Sequence, residues 1–218
     1  MAKLIFDEVG KRFYETGVSK GVLFVQNEAG AYPTGVAWNG LTAVNESPSG
    51  AEANDQFADN MKYLSLTGAE SFEGTIEAFY SPSEFDVCDG MIEVAAGVNA
   101  HQQNRKAFGF AYQSIIGNDI KQNDYGTKLH LLYGCKAAPT ERANATVNDS
   151  PEPANPSWSI TSTPVDVPGH RPTSILTIDS TKATPAKWQA LLDIIYGTEL
   201  TVPYLPTPAQ VIELMKKA

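Results

Sequence analysis

The side chains with the most chemistry to offer are few and scattered. The chain has three histidines, His101, His130 and His170, and two cysteines, Cys88 and Cys135. None follows His-x-x-x-His or Cys-x-x-Cys spacing, so a zinc site is not indicated, and surface or partly packed histidines are expected. Asn118, Asp119, Asn123 and Asp124 offer oxygen ligands to a hard cation. Their spacing departs from the calcium loop, and the stretch 117–126 reads instead as a long hairpin loop. The glycines of GAYPTG at 30–35 are not followed by the Lys and Ser/Thr of a phosphate-binding loop. Neither a Gly-x-Ser-x-Gly elbow nor a Gly-x-Gly-x-x-Gly fingerprint occurs. With 25 acidic residues some close carboxylate pairs are inevitable, and the sequence singles out none for glycosidase chemistry. The expectation is no catalytic residue, no metal and no cofactor.

The elements that would position any site are mostly strands. At 218 residues, 42% hydrophobic and 19% charged, the chain needs no disulfide or metal to fold. Strands are expected at 20–26, 106–116, 125–133, 157–163 and 173–179. In 71–80, Phe72, Ile76, Ala78 and Tyr80 alternate with Glu73, Thr75 and Glu77, giving a core face and a polar face. In 106–116 the bulky Phe108, Phe110 and Tyr112 alternate with Ala107, Gly109 and Ala111, so the thin side should meet another surface. In 125–133, Leu129, Leu131 and Tyr133 oppose Lys128 and His130.

Two helices should follow. Thr184-Pro185 opens one over 185–196, with Trp188, Leu191, Leu192 and Ile195 as the stripe that packs on the sheet and Gly197 as its stop. Residues 202–206 read as a connector, and Thr207-Pro208 opens a second helix within a C-terminal segment over 200–218. Together these imply an α+β, mainly β fold: a two-sheet β-sandwich or barrel with a flanking α-helix and a C-terminal helix, in one domain spanning 1–218. One stretch fits poorly. Residues 45–60, NESPSGAEANDQFADN, read as a long polar loop whose Phe57 docks on something.

Charge is unevenly placed. Residues 21–104 carry twelve acids and one base, Lys62, for −11, while the whole chain is −9. A solvated acidic face would explain this, and it argues against tight DNA binding, which needs basic patches. No apolar run approaches the ~20 residues needed to span a membrane. The opening MAKLIFDE meets acids too early for a signal peptide, so synthesis in the cytoplasm and unpaired cysteines are expected.

Four stretches resemble a known family. They are VNESPSGAE at 44–52 running on to ADNMKYLSL at 58–66; RKAFGF at 105–110 with IGND at 116–119; DYGTKLHLLYG at 124–134; and PTER at 139–142 through NDSPE at 148–152 to TPV at 163–165. In this order they resemble the major tail proteins, or tail tube proteins, of long-tailed, non-contractile siphophages. Asn144 stands where that family has an aromatic, residues 153–156 are richer in proline, and no extra immunoglobulin-like domain is present.

The resemblance implies a tail-tube fold of two packed sheets with a flanking helix. It also implies a virion protein made in the bacterial cytoplasm, whose six-membered rings stack around a tape-measure protein, with tail terminator and distal tail proteins as further partners. DNA would pass through without specific binding. On that reading Pro48, Glu52, Asp55, Phe57 and Asp59 belong to an inter-ring loop, and Glu73 and Glu77 line the lumen. The rival readings are a capsid-decorating or pilin-like β-sandwich subunit, and then a carbohydrate-binding module or enzyme.

Overall fold

The computed structural model describes residues 4–50, 52–68, 70–147, 149–150 and 152–216. The fold is α+β and mainly β. Its framework is an eight-stranded sheet: β1 (Phe13–Val25), β2 (Gly35–Trp38), β3 (Leu41–Gly50), β6 (Glu70–Ala78), β9 (Phe108–Asn118), β10 (Gln122–Ala137), β11 (Ser157–Ser162) and β12 (Ile175–Asp179). The spatial order is β2-β1-β9-β10-β11-β6-β3, with β12 also on β10. Two hairpins stand apart, β4 (Ala53–Ala58) with β5 (Met61–Thr67), and β7 (Ile92–Ala95) with β8 (Val98–Ala100). Helices α1 (Pro185–Tyr196) and α2 (Pro208–Met215) complete the fold.

The long sheet folds over on itself because β10 is shared along its length. Its first half pairs with β12, through Lys128–Leu132, and its last residues pair with β11. The β11-β6-β3 wall thereby turns to face the β1-β9-β10 wall. Between them lies a core of Leu23, Trp38, Phe72, Ile76, Phe108, Phe110, Trp158 and Ile160. Trp38 anchors it, with ring centroids 4.6 Å from Phe85, 5.3 Å from Trp158 and 5.6 Å from Phe110, separations at which aromatic pairs add stability beyond area burial.

A second core lies on the outer side of the β1-β9-β10 wall, under the helices. Here Val22, Phe24, Leu129, Leu131 and Tyr133 meet Leu191 and Ile195 of α1 and Val211 of α2. The thin side of β9 makes this approach possible. A Cβ added at Gly109 would stand 2.3 Å from Leu205 Cδ2. The capping residues work as read for α2, where the Thr207 hydroxyl and the Gln210 side chain close a capping box. At α1, Thr184 makes no side-chain cap bond, and Pro185 at N1 carries the start alone. Gly197 ends α1 at φ 74°.

Several expectations need correction. Residues 45–60 are not a loop: 45–50 continue β3, paired with β6, and 53–58 form β4. The reason is cross-strand pairing with 61–67, which the polar composition hid. The expected long loop at 117–126 is a short turn, because Asn118 Oδ1 accepts from Ile120 N (3.1 Å) and Lys121 N (2.6 Å). Asp119 caps Gly10 N at 3.0 Å. These side chains satisfy backbone amides instead of presenting a cation site. Tyr80 is 78% exposed, since the strand ends at Ala78, and only its carbonyl is engaged, by Trp38 Nε1. His130, by contrast, is partly packed in line with expectation, with 12% of its side chain exposed. In α1, Leu191 and Ile195 are fully buried, whereas Trp188 and Leu192 are only half-buried at the stripe's margin. The C-terminal helix is confined to 208–215, and residues 217–218 lie outside the described residues.

Candidate functional site

The most distinctive feature is a protruding arm. The β3–β6 ladder runs to Gly50 and Glu70, and Gly68 N donates to the Glu52 carbonyl just beyond. The β4–β5 pair carries the ladder on to a two-residue turn at Asp59-Asn60, both with positive φ (52° and 62°). That is the backbone of a tight hairpin turn whose twist matches its strands, and Asp and Asn tolerate it. Every described residue of β4 and β5 is exposed. A two-stranded hairpin with no covering layer is marginal alone in water.

The arm has two unlike faces. An irregularity between Gln56 and Phe57 makes Tyr63 the extra residue, so Phe57 pairs with Lys62 and Gln56 with Leu64. One face therefore carries Asp55, Phe57, Lys62 and Ser65, with Lys62 Nζ 2.7 Å and Ser65 Oγ 2.6 Å from Asp55 Oδ1. Those bonds hold the Asp55 carboxyl below its ordinary value. The other face carries Met61, Leu64 and Leu66. The sequence pointed to Phe57, which is 72% exposed. It missed Met61, Leu64 and Leu66, whose signal was the Leu-Ser-Leu alternation just past the polar stretch. Pro48 sits in β3, the terminal strand of the sheet order, where a missing N–H costs least. Glu52 and Asp59 lie at the arm's base and tip.

At the root of the arm, four side chains from three strands form a polar chain. Tyr112 Oη donates to Glu46 Oε1 at 2.5 Å, His130 Nδ1 lies 3.3 Å from the same oxygen, and His130 Nε2 is 2.9 Å from Ser114 Oγ. The Tyr112 and His130 rings stack at 4.4 Å and 5°. Ser, His and Glu in this order have the connectivity of a hydrolase triad. The backbone around Ser114, however, is already paired. Gln113, Ser114 and Ile115 all pair with β10, and Gln113 and Ile115 also pair with β1, so this backbone is committed to ladders. A catalytic serine needs unpaired N–H donors aimed at the oxyanion. Treatment with a fluorophosphonate should leave Ser114 unmodified; a labelled Ser114 peptide by mass spectrometry would reinstate the hydrolase.

These four side chains form a latch that ties the arm root in β3 to β9 and β10. Burial alone would push the Glu46 carboxyl up, but the His130 ring 3.3 Å away and the hydrogen bond from Tyr112 hold it below its ordinary 4.5. A carboxylate with a depressed folded pKa stabilises the fold above its unfolded value, and that contribution is lost as pH falls through the folded pKa. The latch should thus be complete above pH 4.5 and weaken below it. Amide exchange in β3, corrected for intrinsic rates, should rise on acidification in the native protein and lose that pH dependence in Glu46→Gln. Identical profiles for the two proteins would refute the latch.

Opposite the helix-covered side, the β11-β6-β3 wall presents a polar outer face. Its register aligns Ala43, Asn45 and Ser47 with Glu77, Thr75 and Glu73, and these with Ser157, Ser159 and Thr161. Glu73 is exposed. Glu77 accepts from Asn155 Nδ2 at 3.1 Å and from Asn45 Nδ2 at 3.4 Å. Both glutamates thus share one face, as the alternation of 71–80 required. At these aligned positions the side chains are polar or small, and the half-exposed Phe79 follows Glu77 at the end of the face.

Among the described residues, no group of three or more His, Cys, Asp or Glu is placed to hold a metal ion, and no helix is long and apolar enough to cross a membrane. Both cysteines are unpaired and buried, and burial pushes their thiols up to about 12. No family model matches the chain, and comparison with curated proteins finds no relative.

Proposed function

We propose that the chain is a structural subunit that polymerises into a tube, as the major tail protein of a long-tailed phage does. The observation that carries the reading is the arm, a fully exposed hairpin with Phe57, Met61, Tyr63, Leu64 and Leu66 on its surface. Exposed apolar surface of this extent marks an interaction site. The four family-like stretches supply the rest: six-membered rings, stacking around a tape-measure protein, and a virion location.

Two further features agree with a conduit. The sheet order ends at β3, whose outer edge is available for pairing with a neighbour, and a heterologous contact that closes makes a ring. The polar wall bearing Glu73 and Glu77 is suited to a hydrated channel. In a ring of six, each glutamate becomes six like charges, which repel phosphates and let DNA slide. Sedimentation of concentrated protein tests the reading, with large assemblies expected. Monomers alone, at high concentration and with tail-assembly partners present, would overturn it.

The lumen assignment has its own test. Replacing Glu73 and Glu77 together with Lys should leave assembly intact but slow DNA ejection, more so at low salt where screening is weakest. Unchanged ejection kinetics at low salt would place both side chains away from the channel.

A further inference from the structure

The arm is convex, acidic and apolar, and the opposite side of the molecule carries its complement. A groove of about 800 Å³ runs between β12 and α2. Leu176, Ile178, Ile212 and Met215 form its floor, and Lys182 and Lys187 stand at its rim. We propose that this groove receives the Met61, Leu64 and Leu66 face of the arm from a second copy of the chain, with Asp59 at the arm's tip facing Lys182 and Lys187. The proposal rests on the reading of the chain as a self-assembling subunit and states which surface meets which.

Three observations select this occupant. The first is charge. The arm's Glu52 and Asp59 have no ion pair among the described residues, whereas Asp55 is already met by Lys62. At the groove, Lys182 reaches Asp179 only at 3.6 Å, and Asp179 already accepts from Thr181 at 2.7 and 2.9 Å. Lys187 bonds the Lys216 carbonyl and no carboxylate. The groove thus offers cations where the arm offers acids, which gives register and faster encounter.

The second is topology. Leu176 and Ile178 pack towards the helices, while Ile175 and the arm root at Glu46 belong to the other side of the β10–β12 sheet. A chain's own arm is separated from its own groove by that sheet, so the occupant comes from elsewhere.

The third is the weakness of the exposed apolar N-terminal segment as a competitor. Leu4, Ile5, Phe6 and Val9 are also exposed, but residues 4–12 balance two acids, Asp7 and Glu8, against two bases, Lys11 and Arg12, with Glu8 paired to Lys11. That segment brings no surplus charge to the lysine rim.

Made head to tail, an arm-to-groove contact joins two different surfaces and propagates from copy to copy. Disulfide mapping tests it cleanly, because native Cys88 and Cys135 are buried. Full-length Leu64→Cys and Ile212→Cys proteins are mixed at assembling concentration and oxidised. Abundant heterodimers are expected, with few from either variant alone and few from a control that pairs Val94→Cys with Ile212→Cys. Lys187→Glu should slow assembly several-fold at low salt, and Asp59→Lys should restore it. Assemblies without these heterodimers would overturn the docking and leave the polymer standing. Heterodimers without rods would uphold the docking and overturn the tube. Leu64→Cys homodimers in their place, or crosslinks from Phe6→Cys to Ile212→Cys, would assign the groove or the arm to another partner and sink the proposal.

Discussion

Excising residues 53–67 and joining β3 to β6 with an Asn-Gly turn should leave a folded, monomeric protein that no longer forms rods. The fold should survive because nothing in β4 or β5 is buried. The two cores draw on neither strand. The Asn-Gly turn supplies the positive φ at both central positions that the native Asp59-Asn60 turn uses. Assembly should be lost outright, since the excision removes Phe57, Met61, Leu64 and Leu66 together. Far-UV circular dichroism with thermal melting checks the first half, and electron microscopy the second. A cut protein that still builds normal rods would mean that the arm is incidental to stacking.

The second large effect concerns the helix that backs the sheet. Leu191 is fully buried in the helix-side core with Val22, Phe24, Leu129 and Leu131. Leu191→Ala should cost ~2–5 kcal/mol, the loss of transfer energy plus an unfilled cavity. At ~2–4 °C per kcal/mol for a chain of this size, the melting temperature should fall by roughly 4–20 °C. Leu192→Ala should cost clearly less, because Leu192 sits at the margin of the stripe and is only half-buried. Equal effects at the two positions, or a neutral Leu191→Ala, would mean that the helix packs in another register. The contrast also separates folding from assembly, because neither residue lies on the arm.

Period-2 patterning fixed what could be read of the sheet from sequence. Phe72, Ile76 and Ala78 against Glu73 and Glu77, and Phe108, Phe110 and Tyr112 against Gly109 and Ala111, fell on the faces their alternation required. Local chemistry also placed both helices, through Thr-Pro starts and the glycine stop at 197. Pairing between distant segments was not legible. Residues 53–58 are polar and look like loop, and only the partner strand at 61–67 makes them a strand. The Glu46–Tyr112–His130–Ser114 chain joins residues from three strands brought together when the sheet folds over, so no spacing announces it. The groove was invisible for the same reason: its floor comes from β12 and its other side from α2.

The acidic surplus gains a more specific sense from the structure. Of the acids in residues 21–104, Glu46 is latched at the arm root and Asp55 is paired on the arm. Asp89 receives both Arg105 and Arg142. Of the other nine, none of which has an ion pair among the described residues, Glu52 and Asp59 lie on the arm and Glu73 on the polar wall. On the proposed reading Asp59 meets the lysine rim of the next copy, and Glu73 meets the channel.

Electron cryomicroscopy of the concentrated protein tests the central claim most directly. Hollow rods of stacked six-membered rings are expected, with the hairpin of residues 53–67 packed against the adjacent ring and the Glu73 and Glu77 face turned to the lumen. Fields of single subunits, at the highest attainable concentration and with tail-assembly partners present, would contradict it.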